Sequence, residues 1–282
     1  MLINNKKYYV LFGNPVQHSK SPTIHDLFAE QTNCLMRYNT QYVEKDKFFT
    51  AFLYFLKSHY SGANITVPFK HDAYLLSHVL TKRALISGSV NTIKKISSGK
   101  ILGDNTDGIG LLYDLKRLNA INYSDRVLLI GSGGAARGII PNLLSLNCSI
   151  DVVNRTFCNA KKIVYFFKNL GSIRAINVSL LKELNYDLVI NATSVGIKNN
   201  SNFFISNLVF YPKNTFFYDL YYSNELTPFL RWCKINKAIY FSDGIGMLVS
   251  QAAYSFYLWN GIFPNVKNVI SFLNHQKKYV YL

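Results

Sequence analysis

The chain has 282 residues, long for one ordinary domain and ample for two, and its 49% hydrophobic content can give each a core. Its 31 Lys and Arg against 15 Asp and Glu leave a formal charge of +16, yet the basic residues are scattered in pairs such as Lys6-Lys7, Lys94-Lys95, Lys161-Lys162 and Lys277-Lys278. With no dense basic arm and no nucleic-acid module, nucleic acid is not expected as a partner. Cys34, Cys148, Cys158 and Cys233 form no CxxC pair, and no histidine stands at metal-ligand spacing. No segment is long enough to span a bilayer, and Tyr8 to Phe12 is too short for a signal peptide's apolar region. A cytoplasmic, soluble protein with reduced thiols, no metal and no membrane partner is expected.

Along the chain, Tyr8 to Phe12 reads as a buried strand, and "SPTIHDLFAEQTN" opens a helix with Ser21 as N-cap and Pro22 at the first helical position. A second strand is expected over Met36 to Tyr42, a helix over "DKFFTAFLYFLKSHY", and a short strand in "GANITVPFK". A helix near His71 to Ser77, a hairpin turning at "SSGK" and a helix from Ile109 to Leu118 follow. The alternation points to an α/β domain. Then "DRVLLIGSGGAARGIIPNLLSLNCSIDVVNRT" reads as strand, glycine-rich turn, helix and strand, one β-α-β unit, and "YDLVINAT" and "NTFFYDLYY" continue a doubly wound pattern. From "DGIGMLVSQAAYSFYLWNG" onward the chain reads as helix, folding back onto the first domain.

Gly131, Gly133 and Ala136 fit G-x-G-x-x-[GA] directly after a strand. The first allows the tight turn, the second lets the backbone approach a pyrophosphate, and the third lets the helix pack close to the strand. An NAD-preferring fold places an acid at the end of the second strand. A count of about twenty residues finds Asp151, but the apolar core of "SIDVVNRT" lies after it. The strand therefore ends at Asn154-Arg155-Thr156, where a guanidinium and a hydroxyl suit a 2'-phosphate, and NADP is the expected cofactor.

"TVPFK" delivers Lys70 just past a strand end, and "GDNTDG" delivers Asp107 where the second domain begins. Isolated Lys and Asp are ordinarily surface charges. Held together, an ammonium and a carboxylate can move the proton that a hydride transfer to a carbonyl requires.

These motifs carry a resemblance. "FGNPVQHSKSP", "GANITVPFK", "GSVNT", "GDNTDG", "GSGGAARG", "NRT", "INATSVGI" and "DGIGMLVSQAA" occur in order over nearly the whole chain, which resembles the shikimate dehydrogenase family. The resemblance implies reversible, NADPH-dependent reduction of 3-dehydroshikimate to shikimate, a step toward chorismate and the aromatic amino acids. It implies that Ser19 and Ser21 hold the substrate carboxylate, with His18 and Lys20 as loop structure and local positive potential. Thr66, Asn91 and Gln251 match positions that bind the substrate's hydroxyls and carboxylate, and Tyr222 matches another contact. Lys70 and Asp107 match the catalytic pair, which also touches substrate. On the cofactor side, Gly131, Ser132, Gly133, Gly134 and Ala135 match the pyrophosphate loop; Asn154, Arg155 and Thr156 match the adenosine phosphate clamp; Leu220 and Gly244 match positions near the nicotinamide. Two positions depart from the family pattern. Asn159 stands where a second clamp arginine is common, and Lys82 stands where an acid is frequent.

The nearest rival is a quinate/shikimate dehydrogenase accepting NAD, which Asn159 favours and the "HSKSP" serine pair opposes. A fold without the reaction would have lost Lys70, Asp107 or the glycine turn, and all are present. The expected architecture is two α/β domains with the active site in the cleft between them. Residues 1–106 with 244–282 form the substrate-binding domain, and residues 107–243 form the Rossmann-type NADP domain. The expected state is monomer or homodimer.

Overall fold

The structure, a computed structural model, describes residues 6–97, 99–183, 186–193 and 214–277. The chain divides into two compact units, Met1–Gly110 with Leu248–Val269 and Leu111–Met247 with Ile270–Leu282. The stretch from Ile270 is thus grouped with the second unit, where Lys277 donates from Nζ to Asp243 at 2.8 Å with both side chains almost fully buried.

In the first unit the elements are β1 (Lys7–Gly13), α1 (Ser21–Thr32), β2 (Met36–Tyr42), α2 (Phe48–Lys57), β3 (Gly62–Ile65), α3 (Lys70–Leu76), β4 (Val79–Leu80), α4 (Lys82–Ser87), β5 (Thr92–Lys95) and β6 (Ile101–Asp104). Its sheet runs β2-β1-β3-β5-β6-β4. β1, β2 and β3 are parallel, while β5 pairs antiparallel with both β3 and β6. The period of two along a strand sends Val10 and Phe12 of β1 to one face, against Phe48, Phe52 and Phe55. Tyr9 and Leu11 go to the other, against Tyr38 and Trp259. Both faces are covered, which is why the strand reads as an unbroken apolar run. The hairpin expected at "SSGK" closes β5 onto β6 through Ile96 N–H to Lys100 O at 3.0 Å, with Gly99 at φ 71°, a left-handed turn residue; Ser98 lies outside the described residues. One expectation needs correction: α1 begins at Ser21 itself, and Lys20 is its N-cap without a side-chain cap bond. Pro22 still falls in the first turn, where its missing N–H costs nothing.

α5 (Asp107–Arg117) leads into the second unit, which continues with β7 (Arg126–Ile130), α6 (Gly134–Leu144), β8 (Ser149–Val153), α7 (Phe157–Phe167), β9 (Ile173–Ala175), β10 (Leu188–Asn191), β11 (Phe216–Asp219), α8 (Pro228–Ile235) and β12 (Tyr240–Ser242). α9 (Ile245–Asn260) and α10 (Val266–His275) are the last elements among the described residues. The second sheet is parallel throughout, in the order β12-β11-β10-β7-β8-β9, the doubly wound arrangement. The winding reverses between β7 and β10, so the glycine turn after β7 and the residues after β10 meet at the switch point where such sheets bind ligands. The end of the "INATSVGI" motif, residues 194–197, lies outside the described residues.

A polar knot in this unit gives a stability prediction. Asp114 is fully buried and accepts from the Tyr218 hydroxyl at 2.7 Å and from Arg117 Nε at 2.8 Å. A Cβ on Gly246 would overlap its carboxylate. Gly246→Ala is therefore expected to cost at least about 2 kcal/mol, several degrees in Tm, through crowding and a disturbed buried network. A thermal melt within a degree of the wild type would contradict this packing.

Candidate functional site

Seven of the sequence-derived site residues lie in the first unit. Lys70 is the first residue of α3 and Asp107 the first of α5, where a carboxylate complements the helix N-terminus. Lys70 Nζ donates to Asp107 Oδ2 at 2.5 Å, with side chains only 16% and 7% exposed. The other carboxylate oxygen accepts from Asn91 Nδ2 at 2.8 Å. Asn91 Nδ2 also lies 2.9 Å from Thr106 Oγ1 and 3.3 Å from Gln251 Oε1, while its Oδ1 accepts from the Thr106 N–H and the Thr92 hydroxyl. The pair is thus set in a braced polar cluster. Asp107 takes one of the ammonium's three N–H groups, leaving donor capacity for a substrate oxygen.

The brace begins just upstream of Asp107. Asp104 is fully buried, bound by Arg83 through Nε and Nη2 and by the Thr81 hydroxyl, which fixes the end of β6. Asn105 then accepts the Asp107 N–H at 3.0 Å. Thr66, half-buried, follows β3 and takes the Phe12 carbonyl, and a Cβ on Gly13 would overlap its methyl group. Gly13 therefore lets the "GNPVQHSKSP" loop start beside Thr66. In that loop Ser19 Oγ accepts the Ser21 N–H at 3.2 Å; Ser21 is buried and Ser19 half-buried.

Sequence reasoning missed Asn64, the one polar side chain in "GANI". It accepts the Tyr38 hydroxyl at 2.8 Å and donates to Asn91 O, Thr92 Oγ1 and Ser255 Oγ. A polar residue inside an otherwise apolar central strand was the available signal, since burial there demands partners. Tyr38 stacks on His25, ring centroids 4.2 Å apart, and burial pushes the His25 imidazole down to about 3, so that ring stays neutral.

The remaining residues lie in the second unit. Gly131 takes φ 109° and donates its N–H to Val153 O at 2.7 Å; a Cβ there would stand 2.9 Å from Ala192 O. Ser132 follows in the turn, Gly133 is the N-cap of α6 with no side-chain cap bond, and Gly134 and Ala135 begin the helix. Among the described residues a Cβ on Gly133 or Gly134 would meet no atom within 4 Å. An open, uncapped helix start beside a bare backbone turn fits a pyrophosphate. At the end of β8, Asn154 Nδ2 donates to Thr156 O at 3.0 Å, Arg155 is exposed, and Thr156 is the N-cap of α7 without a side-chain cap bond. These residues fit a phosphorylated ribose. Asp151 does not reach that end: it is buried within β8, bound by Arg174 at 2.6 and 3.1 Å and by the Tyr186 hydroxyl at 2.7 Å.

Leu220 directly follows β11, and its N–H donates to Asn191 O at 2.9 Å. Gly244 donates its N–H to Tyr221 O at 3.1 Å, and a Cβ there would collide with Leu220 O. Tyr222, half-buried in the same loop, stacks on Tyr221. Among the described residues no group of three or more His, Cys, Asp or Glu could hold a metal ion, and no helix is long and apolar enough to cross a membrane.

Comparison with known proteins points to one family. Residues 11–93 match the shikimate dehydrogenase substrate binding domain, residues 115–202 the shikimate / quinate 5-dehydrogenase model, and residues 244–270 the shikimate 5'-dehydrogenase C-terminal domain. Shikimate dehydrogenase (NADP(+)) of Buchnera aphidicola subsp. Baizongia pistaciae is 50% identical over 95% of this chain and 96% of its own. The protein of the same name from subsp. Schizaphis graminum is 48% identical over 94% and 96%. The crystal structure of shikimate 5-dehydrogenase from Thermus thermophilus in complex with NADP(H) and shikimate superposes with a TM-score of 0.84 at 28% identity, covering 96% of this chain and 99% of that one. With half its residues shared along almost the full length of a curated relative, and the glycine turn and lysine–aspartate pair in place, this chain belongs to the shikimate dehydrogenase family.

Proposed function

We propose that the protein reduces 3-dehydroshikimate to shikimate, reversibly and with NADPH, on the route to chorismate and the aromatic amino acids. The observation that carries the reading is the Lys70–Asp107 contact at 2.5 Å, braced by Asn91. Bound NADPH supplies the hydride. Lys70 donates a proton to the oxygen that becomes the C3 hydroxyl, and Asp107 orients the ammonium and accepts from that hydroxyl. Ser19 and Ser21 hold the substrate carboxylate. Thr66, Asn91 and Gln251, with Tyr222, bind the remaining polar groups, and a ring rich in hydroxyls needs such partners because an unmatched one is costly. For Asn91, the 3.3 Å contact to Gln251 is the one a substrate hydroxyl can replace most easily.

Gly131 to Ala135 hold the pyrophosphate, Asn154, Arg155 and Thr156 the 2'-phosphate, and Leu220 and Gly244 flank the nicotinamide. The net charge of +16 favours encounter with two anionic ligands. All four cysteines are free thiols, which suits the cytoplasm.

The test is a set of initial rates on purified protein, with shikimate or quinate as donor and NADP or NAD as acceptor. Shikimate with NADP is expected to dominate. Comparable rates with quinate or NAD favour the quinate/shikimate alternative, and no rate in any combination defeats the reading. One variant isolates the phosphate clamp. Arg155→Ala is expected to raise the KM for NADP about 10- to 100-fold, the worth of a charge-assisted hydrogen bond, with the KM for NAD nearly unchanged. An equal rise for both cofactors would remove Arg155 from the clamp.

A further inference from the structure

At the carboxyl ends of β10 and β11 stands a buried carboxylate that the reaction itself does not use. Asp219, the last residue of β11, is fully buried. Its Oδ1 accepts from Asn191 Nδ2 at 2.9 Å and from the Tyr221 N–H at 3.1 Å, and its Oδ2 accepts from the Thr227 hydroxyl at 2.6 Å. Asn191 Oδ1 accepts in turn from the Thr193 N–H at 3.1 Å and the Thr193 hydroxyl at 2.7 Å. Thr227 Oγ1 also accepts the Leu230 N–H at 3.2 Å, capping α8.

One side chain therefore ties together the residues after β10, the residues after β11 and the start of α8. Two of those segments support the proposed cofactor contacts. Ala192 O limits the space at Gly131, and Leu220 O fills the space where a Cβ on Gly244 would stand. A shift of either segment moves the glycine turn or the Leu220–Gly244 contact.

We propose that Asp219, acting through Asn191 and Thr227, is a positioning residue for the dinucleotide: it holds residues 192–193 and 220–222 in the arrangement that cofactor binding requires. This rests on the dinucleotide-binding part of the reading given above. Its pH dependence follows from the surroundings. Burial pushes the Asp219 carboxyl up to about 7; the donors from Thr227, Tyr221 and Asn191 oppose the rise, and Asp243 adds to it. The titratable groups facing it are Asp243, itself paired with Lys277, and Cys233 of α8, whose thiol burial and Asp219 both push up.

The sign of the linkage is clear. A carboxyl raised on folding contributes most to stability when protonated, below the usual carboxylate range, and that contribution is lost as pH climbs to about 7. Over the same interval the carboxylate forms, completing its acceptor role toward three donors, so dinucleotide affinity is expected to rise as stability falls.

The experiment measures Kd for NADP and NAD, KM for each substrate and kcat from about pH 6 to 9, in the wild type, Asp219→Asn, Thr227→Val and Thr227→Ser. NAD is included because the 2'-phosphate of NADP itself titrates. Asp219→Asn is expected to weaken both dinucleotides about tenfold or more, with the KM for shikimate changed less than about threefold, and to lack the inflection near pH 7 expected of the wild type with NAD. Thr227→Val should fall between, and Thr227→Ser should match the wild type. Wild-type Kd and pH profile in folded Asp219→Asn overturn the proposal. If that variant does not fold, wild-type dinucleotide Kd in Thr227→Val overturns it. A wild type inactive on shikimate that still loses dinucleotide affinity in Asp219→Asn would defeat the functional reading and leave this inference standing.

Discussion

Lys70→Ala is expected to lower kcat for 3-dehydroshikimate reduction by about 10² to 10⁴, the usual contribution of a positioned acid or base, with a smaller change in the KM for 3-dehydroshikimate. The size follows from the way Lys70 is held. Its ammonium sits 2.5 Å from a carboxylate that Asn91 fixes from the other side, and Asn91 is fixed in turn by Thr92 and Thr106. The proton donor is therefore pre-set, and little reorganisation remains to be done during reaction. Lys70→Met, which retains much of the stem while removing the charge, should show nearly the same loss, separating chemistry from packing. Asp107→Asn should also lower kcat, because the amide keeps the contact with Asn91 awkwardly and no longer pairs with the ammonium. Near-normal kcat in folded Lys70→Ala would remove the lysine from the reaction.

Gly133→Val is expected to leave the fold intact and raise the KM for NADP at least about tenfold. Among the described residues a Cβ at Gly133 meets no atom within 4 Å, and the residue's φ of −80° is open to any L-residue. The described residues give no reason for glycine there. The dinucleotide does: a pyrophosphate on the start of α6 needs the backbone N–H groups at close range, and a branched side chain would stand in its place. Gly131 makes the contrast, because its φ of 109° and the nearness of Ala192 O make a substitution there strained with or without ligand. The check is a thermal melt beside a cofactor titration. An unchanged Tm with weakened NADP binding is the expected pair of results, and unchanged binding would move the pyrophosphate elsewhere.

Much of this architecture is legible in the sequence for a simple reason. Strands covered on both faces, such as "RVLLI" and "YYVLF", are continuous apolar runs, and the glycine turn announces itself by following one of them. Lys70 and Asp107 are visible because each follows a strand end within a recognisable motif. What is not visible is short or is decided by packing. β4 has two residues, β9 and β12 have three each, and edge pairing alone makes them strands. The start of α1 differs by one residue from the sequence expectation because serine before proline is a strong capping signal, while here the chain turns at Lys20. Asn64, Asn191 and Asp219 escape a sequence reading for a related reason. In sequence, a polar residue in or beside a short strand resembles a turn, and only the fold shows that its partners are buried residues of other elements.

The measurement that bears most directly on the central claim is a crystal structure of the protein with shikimate and NADP bound. Lys70 Nζ and an Asp107 carboxylate oxygen are expected within about 3.2 Å of the same ring hydroxyl, the one at C3, with Ser19 and Ser21 on the substrate carboxylate. Shikimate bound with its C3 hydroxyl away from Lys70, or with its carboxylate away from the two serines, would contradict the account.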